Sequence, residues 1–472
     1  MQKTKMIFTI GPSSDSEEVL TQFIQIGMNV ARLNFSHGTQ ETHKEKINLI
    51  KKIRTKLNTP TAIMLDIKGP KIRTHNFIND GVELKEGQNF IFKCNKEILG
   101  NNKECSISYS ELYKDVHIGG IILVDDGLIA FKIIDINRSD IICKVLNDGI
   151  IKNHKGVNVP NVSINLPSVT DKDKCDLIFG CKMGVDFVAA SFIRKSSDIK
   201  EVREILNSHN GNNIQIIAKI ENQEGVNNID SILQEADGIM VARGDMGVEI
   251  PIEKVPIIQK KIIRKCNESG KIVITATQML DSMIRNSLPT RAEACDICNA
   301  IFDGTDAIML SGESASGQYP IEAAKTMSKI AKETELHLDY NYLNQCLKEP
   351  AMYDFAEAIS YSTCRTSNVL NAKAIVAATN FGSTAKLVSK YKPKCPIVAI
   401  TPHEEVLRGL SLNFGVYPVL CQEFANTDDI LNESKKIVTK MNLANKGDDI
   451  IIAAGMPTNY TGGTNMLKIE KI

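Results

Sequence analysis

Eight apolar runs, each the length of one strand, recur through the first two thirds of the chain, at 6–10, 29–33, 62–65, 187–191, 214–220, 238–242, 272–275 and 307–310. They are continuous rather than alternating in polarity, which predicts strands buried on both faces. Between most of them the apolar residues take helical spacing, as in Val19, Phe23, Ile24 and Ile26. Such strands alternating with amphipathic helices imply a parallel sheet covered by helices, and eight units close into a (β/α)8 TIM barrel. In that architecture the reactive groups sit at the C-terminal ends of the strands.

The run ends meet that expectation. They finish in Gly11-Pro12, Asn34-Phe35-Ser36, Asp66, Ser191, Lys219-Ile220-Glu221, Arg243-Gly244-Asp245, Thr277 and Ser311-Gly312-Glu313. A barrel built for packing alone has no need of a lysine, an arginine and several carboxylates along one rim.

The interval 70–167 reads differently. Helical periodicity is weak there, and the turn sequences at 124–128 and 146–150 are flanked by β-rich runs. This predicts a small all-β domain inserted in a barrel loop, placed to swing over the rim as a lid. A further α/β pattern, with strands at 374–379, 396–401, 416–420, 449–453 and 467–472, predicts a C-terminal α/β domain with a mixed, mostly parallel sheet. The expected division is a catalytic barrel over 1–69 and 168–338, a lid over 70–167 and a regulatory domain over 345–472.

Composition narrows the function. The 472 residues hold 56 Lys plus Arg against 56 Asp plus Glu, a net charge of zero, so the basic excess of a nucleic-acid or anionic-membrane binder is missing. No run reaches the ~20 apolar residues that span a bilayer. The run at 6–10 is a strand and not a signal segment. The 12 cysteines are scattered, and Cys295 and Cys298 have neither a second pair nor a histidine at zinc spacing. Reduced, buried thiols in a cytoplasmic protein are the expectation.

Several clusters carry chemistry. The two-residue period of a strand turns Lys219 and Glu221 to one side and Ile220 to the other. The next strand ends in Asp245, so two hard oxygen ligands can converge, with positions left for water and substrate, which suits Mg²⁺ or Mn²⁺. A lysine beside that metal can stabilise a transferring phosphoryl group or an enolate. One carboxylate alone reads as half of a salt bridge; three charged groups on adjacent strand ends read as a site. Arg32, Asn34 and Ser36 share one face of the second strand. The guanidinium fork of Arg32 suits phosphate oxygens, while Asn34, Ser36 and Asp66 offer oxygens to a cation. His37 alone reads as a helix cap or structural residue. Asp66-Ile67-Lys68-Gly69-Pro70-Lys71-Ile72-Arg73 is charged enough for a solvated hinge, but it stands where the barrel enters the insert. Arg243-Gly244-Asp245 passes from a strand to a helix N-terminus, which can receive a small anion. No Walker A sequence occurs, so nucleotide phosphates must be held by side chains and metal.

Together these segments resemble the pyruvate kinase family. The likeness is carried by residues 32–38, 66–73, 218–222, 241–247 and 276–280, is extended by 289–293 and 309–313, and runs from Lys5 to the C-terminus. It implies phosphoryl transfer from phosphoenolpyruvate to ADP, giving pyruvate and ATP in glycolysis, by a metal-dependent homotetramer. Position by position, it makes Glu221 and Asp245 the divalent-metal ligands. Lys219 becomes the group that stabilises the transition state and enolate, and Arg32 the contact to the transferring phosphoryl group. Gly244, Asp245 and Thr277 surround the substrate carboxylate and enolate. Arg73 and Lys155 contact nucleotide phosphates, and Asn34 and His37 border the nucleotide. Asn34, Ser36, Asp66 and the carbonyl of Ile67 match the family's potassium site.

Two positions depart from the family pattern. Many members carry Thr at 67 and Glu at 71, where this chain has Ile67 and Lys71. A backbone carbonyl survives the first change. In the second, an ammonium group of roughly the charge and size of K⁺ enters the neighbourhood, so an enzyme working without added K⁺ is expected. The family's C-terminal domain often binds an activating sugar phosphate or nucleotide. Thr379, Asn380, Gly382, Ser383 and Thr384 form a strand-to-helix turn suited to a phosphate, with 461–464 as a second loop over it. Phe381 stands where a small or hydroxylated residue is common. Two rival readings differ in what they leave over. A barrel aldolase or mutase explains Glu221 and Asp245 but not Arg73, Lys155 or the third domain. A non-catalytic sensor has no use for Arg32, Lys219, Glu221, Asp245 and Thr277 together.

Overall fold

The computed structural model describes residues 1–340, Leu343, 354–456 and 463–472. Eight parallel strands close into a barrel: β1 (Lys5–Thr9), β2 (Met28–Asn34), β3 (Ala62–Asp66), β4 (Phe187–Ala190), β5 (Gln215–Ile220), β6 (Gly238–Ala242), β7 (Ile272–Ala276) and β8 (Ala307–Leu310). Ile7, Val30, Met64, Phe187, Ile217, Met240, Ile274 and Met309 point inward and fill the barrel. Their neighbours Met6, Phe8, Ala31, Leu33, Ile63 and Leu65 point outward and pack on the helices. Both faces of each strand are therefore covered, which is why the sequence shows continuous apolar runs. The first helix illustrates the outer layer. Over Glu17–Ile26, the Ser16 side chain accepts from the Val19 N–H at the N-cap, and Leu20, Phe23 and Ile24 are buried. Gly27, at φ 122°, ends it.

After β3 the chain leaves the barrel. A seven-stranded sheet runs in the order Ile72–Arg73, Gly156–Asn158, Ile121–Val124, Ile129–Asn137, Asp140–Val145, Asn89–Lys93, Glu104–Ser106, and Gly149–Lys152 pairs with Gly81–Leu84 in a second sheet. The insert is not wholly β, since Leu112–Asp115 forms one helical turn. The turn at 124–128 closes a hairpin between Ile121–Val124 and Ile129–Asn137. The turn at 146–150 does not, because the chain there crosses from one sheet to the other.

The C-terminal sheet has the order Val416–Leu420, Ile397–Thr401, Ala374–Ala378, Asp449–Ala454, Met466–Lys471, parallel except for the antiparallel last pair. It docks under the barrel. Leu412, fully buried, joins the cluster that fills the barrel interior. Around it Ser411 Oγ donates to Pro60 O at 2.7 Å, Gly415 N to Lys3 O at 2.9 Å, and Arg408 Nε pairs with Asp186 at 2.7 Å. Among the described residues all cysteines are free, and Cys175 and Cys295 are exposed rather than buried as expected. No helix among the described residues is long and apolar enough to cross a membrane.

Candidate active site

The C-terminal ends of β2, β3, β4 and β5 bring four charged groups together in the barrel mouth. Asn34 of β2 stands beside Asp66 of β3, and Ala189 of β4 flanks Asp66 on its other side. Arg32 Nε lies 2.6 Å from Asp66 Oδ2, and its Nη1 donates to Thr9 Oγ1 at 2.8 Å. Lys219 Nζ lies 3.3 Å from Asp66 Oδ1 and 3.0 Å from Glu221 Oε1, and donates to Ser191 Oγ at 2.7 Å. All four titratable residues are buried. Burial alone would raise the Asp66 carboxyl, but Arg32 and Lys219 outweigh it and hold the group below its ordinary value. Burial likewise works against the Lys219 ammonium, yet Asp66 and Glu221 together hold it above the ordinary lysine value. Burial pushes the Glu221 carboxyl up to about 7, with Lys219 offsetting part of the shift and Asp245 adding to it.

Glu221 is also where a metal fits. Its Oε2 accepts from Phe192 N at 2.6 Å. Its Oε1 is buried and, although close to Lys219, makes no hydrogen bond. Asp245, in the first turn of the helix Arg243–Glu249, is partly open to solvent. No group of three or more His, Cys, Asp or Glu side chains able to hold a metal occurs among the described residues. Two hard oxygens, one buried beside Lys219 and one partly open to solvent beside Lys71, suit a divalent cation whose other ligands come from water and substrate.

Thr277 and Gly244 meet across the same mouth: Gly244 N donates to Thr277 Oγ1 at 2.8 Å, and Thr277 has φ 67°. That left-handed backbone is held from behind by Arg243, whose Nη2 donates to Thr277 O at 2.7 Å while its Nη1 pairs with Asp296 at 2.6 Å. Arg32, Asn34, His37 and Thr277 line one cavity of about 1110 Å³. His43 supports its rim. It stacks on Phe35 at 3.9 Å, with Nε2 2.8 Å from His37 O, and burial lowers its pKa.

The lid contributes from the far side. Arg73 and Gly156 are paired partners on adjacent strands, which brings Arg73 near Lys155; Lys155 Nζ lies 2.9 Å from Asp125. Lys71 does not pair with the residues expected to hold K⁺. Its Nζ lies 3.2 Å from Asp245 Oδ1 and 3.6 Å from Asp126 Oδ1. Three of the four groups expected to hold K⁺ already have protein donors: Asn34 Oδ1 accepts from Ser36 N, Ile67 O from Ser191 Oγ, and Asp66 from Arg32 and Lys219.

The turn expected to hold an effector lies in the C-terminal domain, away from the barrel mouth. Gly382 N donates to Thr379 Oγ1 at 2.9 Å ahead of the helix Ser383–Lys390, and Thr464 Oγ1 donates to Thr384 Oγ1 at 2.8 Å. Asn380 belongs to the same turn, and Phe381 is exposed. Thr461 and Gly462 of the second loop lie outside the described residues, as does residue 345.

Sequence reasoning missed Thr9 as the partner of Arg32, Ser191 as the partner of Lys219 and Arg243 as the brace behind Thr277. Ser191 and Arg243 were visible only as polar ends of apolar runs. A single hydroxyl or guanidinium at such an end carries no spacing signal of its own.

Comparison with known proteins places this geometry. The family models described as "Pyruvate kinase, barrel domain" and "Pyruvate kinase, alpha/beta domain" match residues 1–324 and 357–470. A pyruvate kinase of Clostridium perfringens is 66% identical over 474 residues, covering 100% of both chains. That of Clostridium acetobutylicum is 56% identical over 472 residues, again 100% of both. The crystal structure of a pyruvate kinase from Cryptosporidium parvum superposes with a TM-score of 0.95 at 40% identity, covering 100% of this chain and 96% of that one.

Proposed function

The chain belongs to the pyruvate kinase family and is a phosphotransferase, and from that premise we propose that it moves the phosphoryl group of phosphoenolpyruvate to ADP, giving pyruvate and ATP in glycolysis. The observation that carries this reading is the buried convergence of Arg32, Asp66, Lys219 and Glu221 in the barrel mouth, beside Asp245. A paired arginine and lysine aimed at one point offset charge that spreads over the oxygens of a transferring phosphoryl group.

In this reading Arg32 grips the phosphoryl oxygens, and Asp66 fixes the plane of its guanidinium. Lys219 stays charged throughout and stabilises the enolate left behind. The Gly244 N–H and the Thr277 hydroxyl hold the substrate carboxylate and enolate, and a water near Thr277 delivers the proton that completes pyruvate. Arg73 and Lys155 hold nucleotide phosphates, so Lys155 must leave Asp125 when ADP arrives. Asn34 and His37 border the nucleotide. Glu221 and Asp245 would hold Mg²⁺ or Mn²⁺, which supplies charge neutralisation at the phosphoryl group.

K⁺ is not required in this proposal. The protein donors already on Asn34 Oδ1, Ile67 O and Asp66 support it, and the Lys71 ammonium supplies a built-in positive charge at the rim. The proposal also takes the barrel as 1–69 and 168–338, the lid as 70–167 and a regulatory domain as 345–472. It assigns a phosphorylated effector to Thr379, Asn380, Gly382, Ser383 and Thr384, a homotetrameric assembly and a cytoplasmic location, all supported by the family relationship. A coupled assay with phosphoenolpyruvate, ADP and Mg²⁺ tests the central claim: folded protein that forms no pyruvate at saturating substrate ends it.

A further inference from the structure

The chain leaves β2 through residues 35–39, exposed from His37 to Thr39, before the helix Gln40–Leu57 begins. Two side chains hold the carbonyls of this loop. Lys172 Nζ donates to Phe35 O at 2.8 Å, and His43 Nε2 lies 2.8 Å from His37 O. A carbonyl oxygen only accepts, so Nε2 carries the ring hydrogen. Nδ1 is buried with no partner among the described residues, and burial keeps the ring uncharged. The ring stacks on Phe35 with their planes 12° apart. Gly38 passes close by at φ 78°, where a Cβ would stand 3.4 Å from His43 Nε2 and 3.0 Å from Thr42 Oγ1. His43 shares the buried face of its helix with Ile47, Ile50 and Ile53. A leucine or phenylalanine in that slot would pack without stranding a nitrogen in the interior, which is costly. What the imidazole adds is its hydrogen bond to the loop.

We propose that His43 is a positioning residue for the nucleotide: its hydrogen bond to His37 O fixes the loop that carries Asn34 and His37 along the cavity they line. Asn34, His37, Gly38 and Thr42 form one wall of that cavity together with His43. A wall ordered in advance spares the nucleotide the entropy cost of ordering it on binding. The groups assigned to the chemical step are held independently of His43. Arg32 is fixed by Asp66 and Thr9, and Lys219 by Ser191 and Asp66. Loss of the His43 donor therefore falls on nucleotide affinity and leaves the transfer step in place. That Asn34 and His37 border a nucleotide rests on the function proposed above.

Three variants of the full chain separate the hydrogen bond from the ring. His43→Phe keeps the stack on Phe35 and loses the donor. His43→Gln loses the ring but carries an amide N–H at the reach of Nε2, and His43→Asn falls short of it. In the Phe and Asn variants the KM for ADP is expected to rise about fivefold, the loss of one net hydrogen bond, with kcat and the KM for phosphoenolpyruvate within about twofold. His43→Gln is expected to stay near the unmodified enzyme. ADP affinity by calorimetry with Mg²⁺ should follow the same order. Hydrogen exchange over 35–39 without nucleotide should be faster in the Phe variant than in the Gln variant. His43→Leu serves if the Phe variant does not fold. Unmodified protein that forms no pyruvate refutes the function, and the ADP affinities still decide this proposal. No binding of ADP, unchanged ADP affinity in His43→Phe, equal loss in His43→Gln, or a fall in kcat with the KM for ADP unmoved would each overturn it.

Discussion

Lys71 and Asp245, 174 positions apart, meet with Nζ 3.2 Å from Oδ1. The lysine stem reaches that point by crossing bare backbone at Gly156 of the lid, where a Cβ would stand 2.6 Å from Lys71 Cε. Its ammonium lies 5.8 Å from the centroid of Phe192 and 3.6 Å from Asp126. One positive charge thus bridges the lid turn and a candidate metal ligand.

Lys71→Glu puts a third carboxylate beside Asp245 and Asp126. The variant is expected to need K⁺, with a rate roughly tenfold higher in K⁺ than in tetramethylammonium, about 1.4 kcal/mol. The unmodified enzyme should show little difference between the two salts. Near-complete loss of its rate without K⁺ would refute the assignment.

Lys219→Met keeps much of the stem and removes the charge. Turnover is expected to fall about 10²–10³-fold, some 3–4 kcal/mol of barrier, as when one preorganised donor is lost. The KM for phosphoenolpyruvate should move far less than kcat. A variant retaining most of its turnover shows that Lys219 has another role.

The Glu221 carboxyl titrates near 7 in the fold against 4.5 for an ordinary glutamate, chiefly because it is buried. The folded protein therefore binds more protons than the unfolded chain between those values, so this group makes the metal-free protein less stable as pH rises through that window. A divalent cation needs the ionised form, so its binding should tighten with pH up to about 7 and release a proton. Titration calorimetry with Mg²⁺ at pH 6, in buffers of different ionisation enthalpy, reads that proton directly. No proton release, or an affinity that does not change between pH 6 and 8, contradicts it.

Lys5 gives the opposite sign. Burial lowers its ammonium from 10.5 to about 7, with Glu335 offsetting part of the shift. It donates to Val416 O and sits 4.6 Å from the Tyr417 ring centroid, under the barrel. Here the unfolded chain binds the extra proton between pH 7 and 10.5, so stability should rise with pH across that range by up to about 1.4 kcal/mol per unit. Calorimetric Tm at pH 7 and 9 is expected to show a smaller rise in Lys5→Met. Equal slopes in the two proteins remove Lys5 as the cause.

Much of this was legible in the chain. Strands buried on both faces must be apolar throughout, so all eight barrel strands stood out, with ends misplaced by a residue or so. Asn34 and Asp66 belong to β2 and β3 because they pair with each other across the sheet, which no local pattern reports. The lid showed its β character but not its pairing. Residues 146–150 have hairpin composition, yet the strands they join lie in different sheets. At the site, the two-residue period placed Lys219 and Glu221 on one face correctly. The pairing of Lys71 was not legible, because it depends on the gap at Gly156.

Local order of residues determined which segments become strands and helices and which charged groups reach the rim, since burial and periodicity act over a few neighbours. Only the closed barrel and the docked lid decided who meets whom. Contacts such as Arg32 with Asp66, 34 positions apart, or Lys71 with Asp245 require backbone geometry accurate to a fraction of an ångström, set by packing summed over the whole molecule.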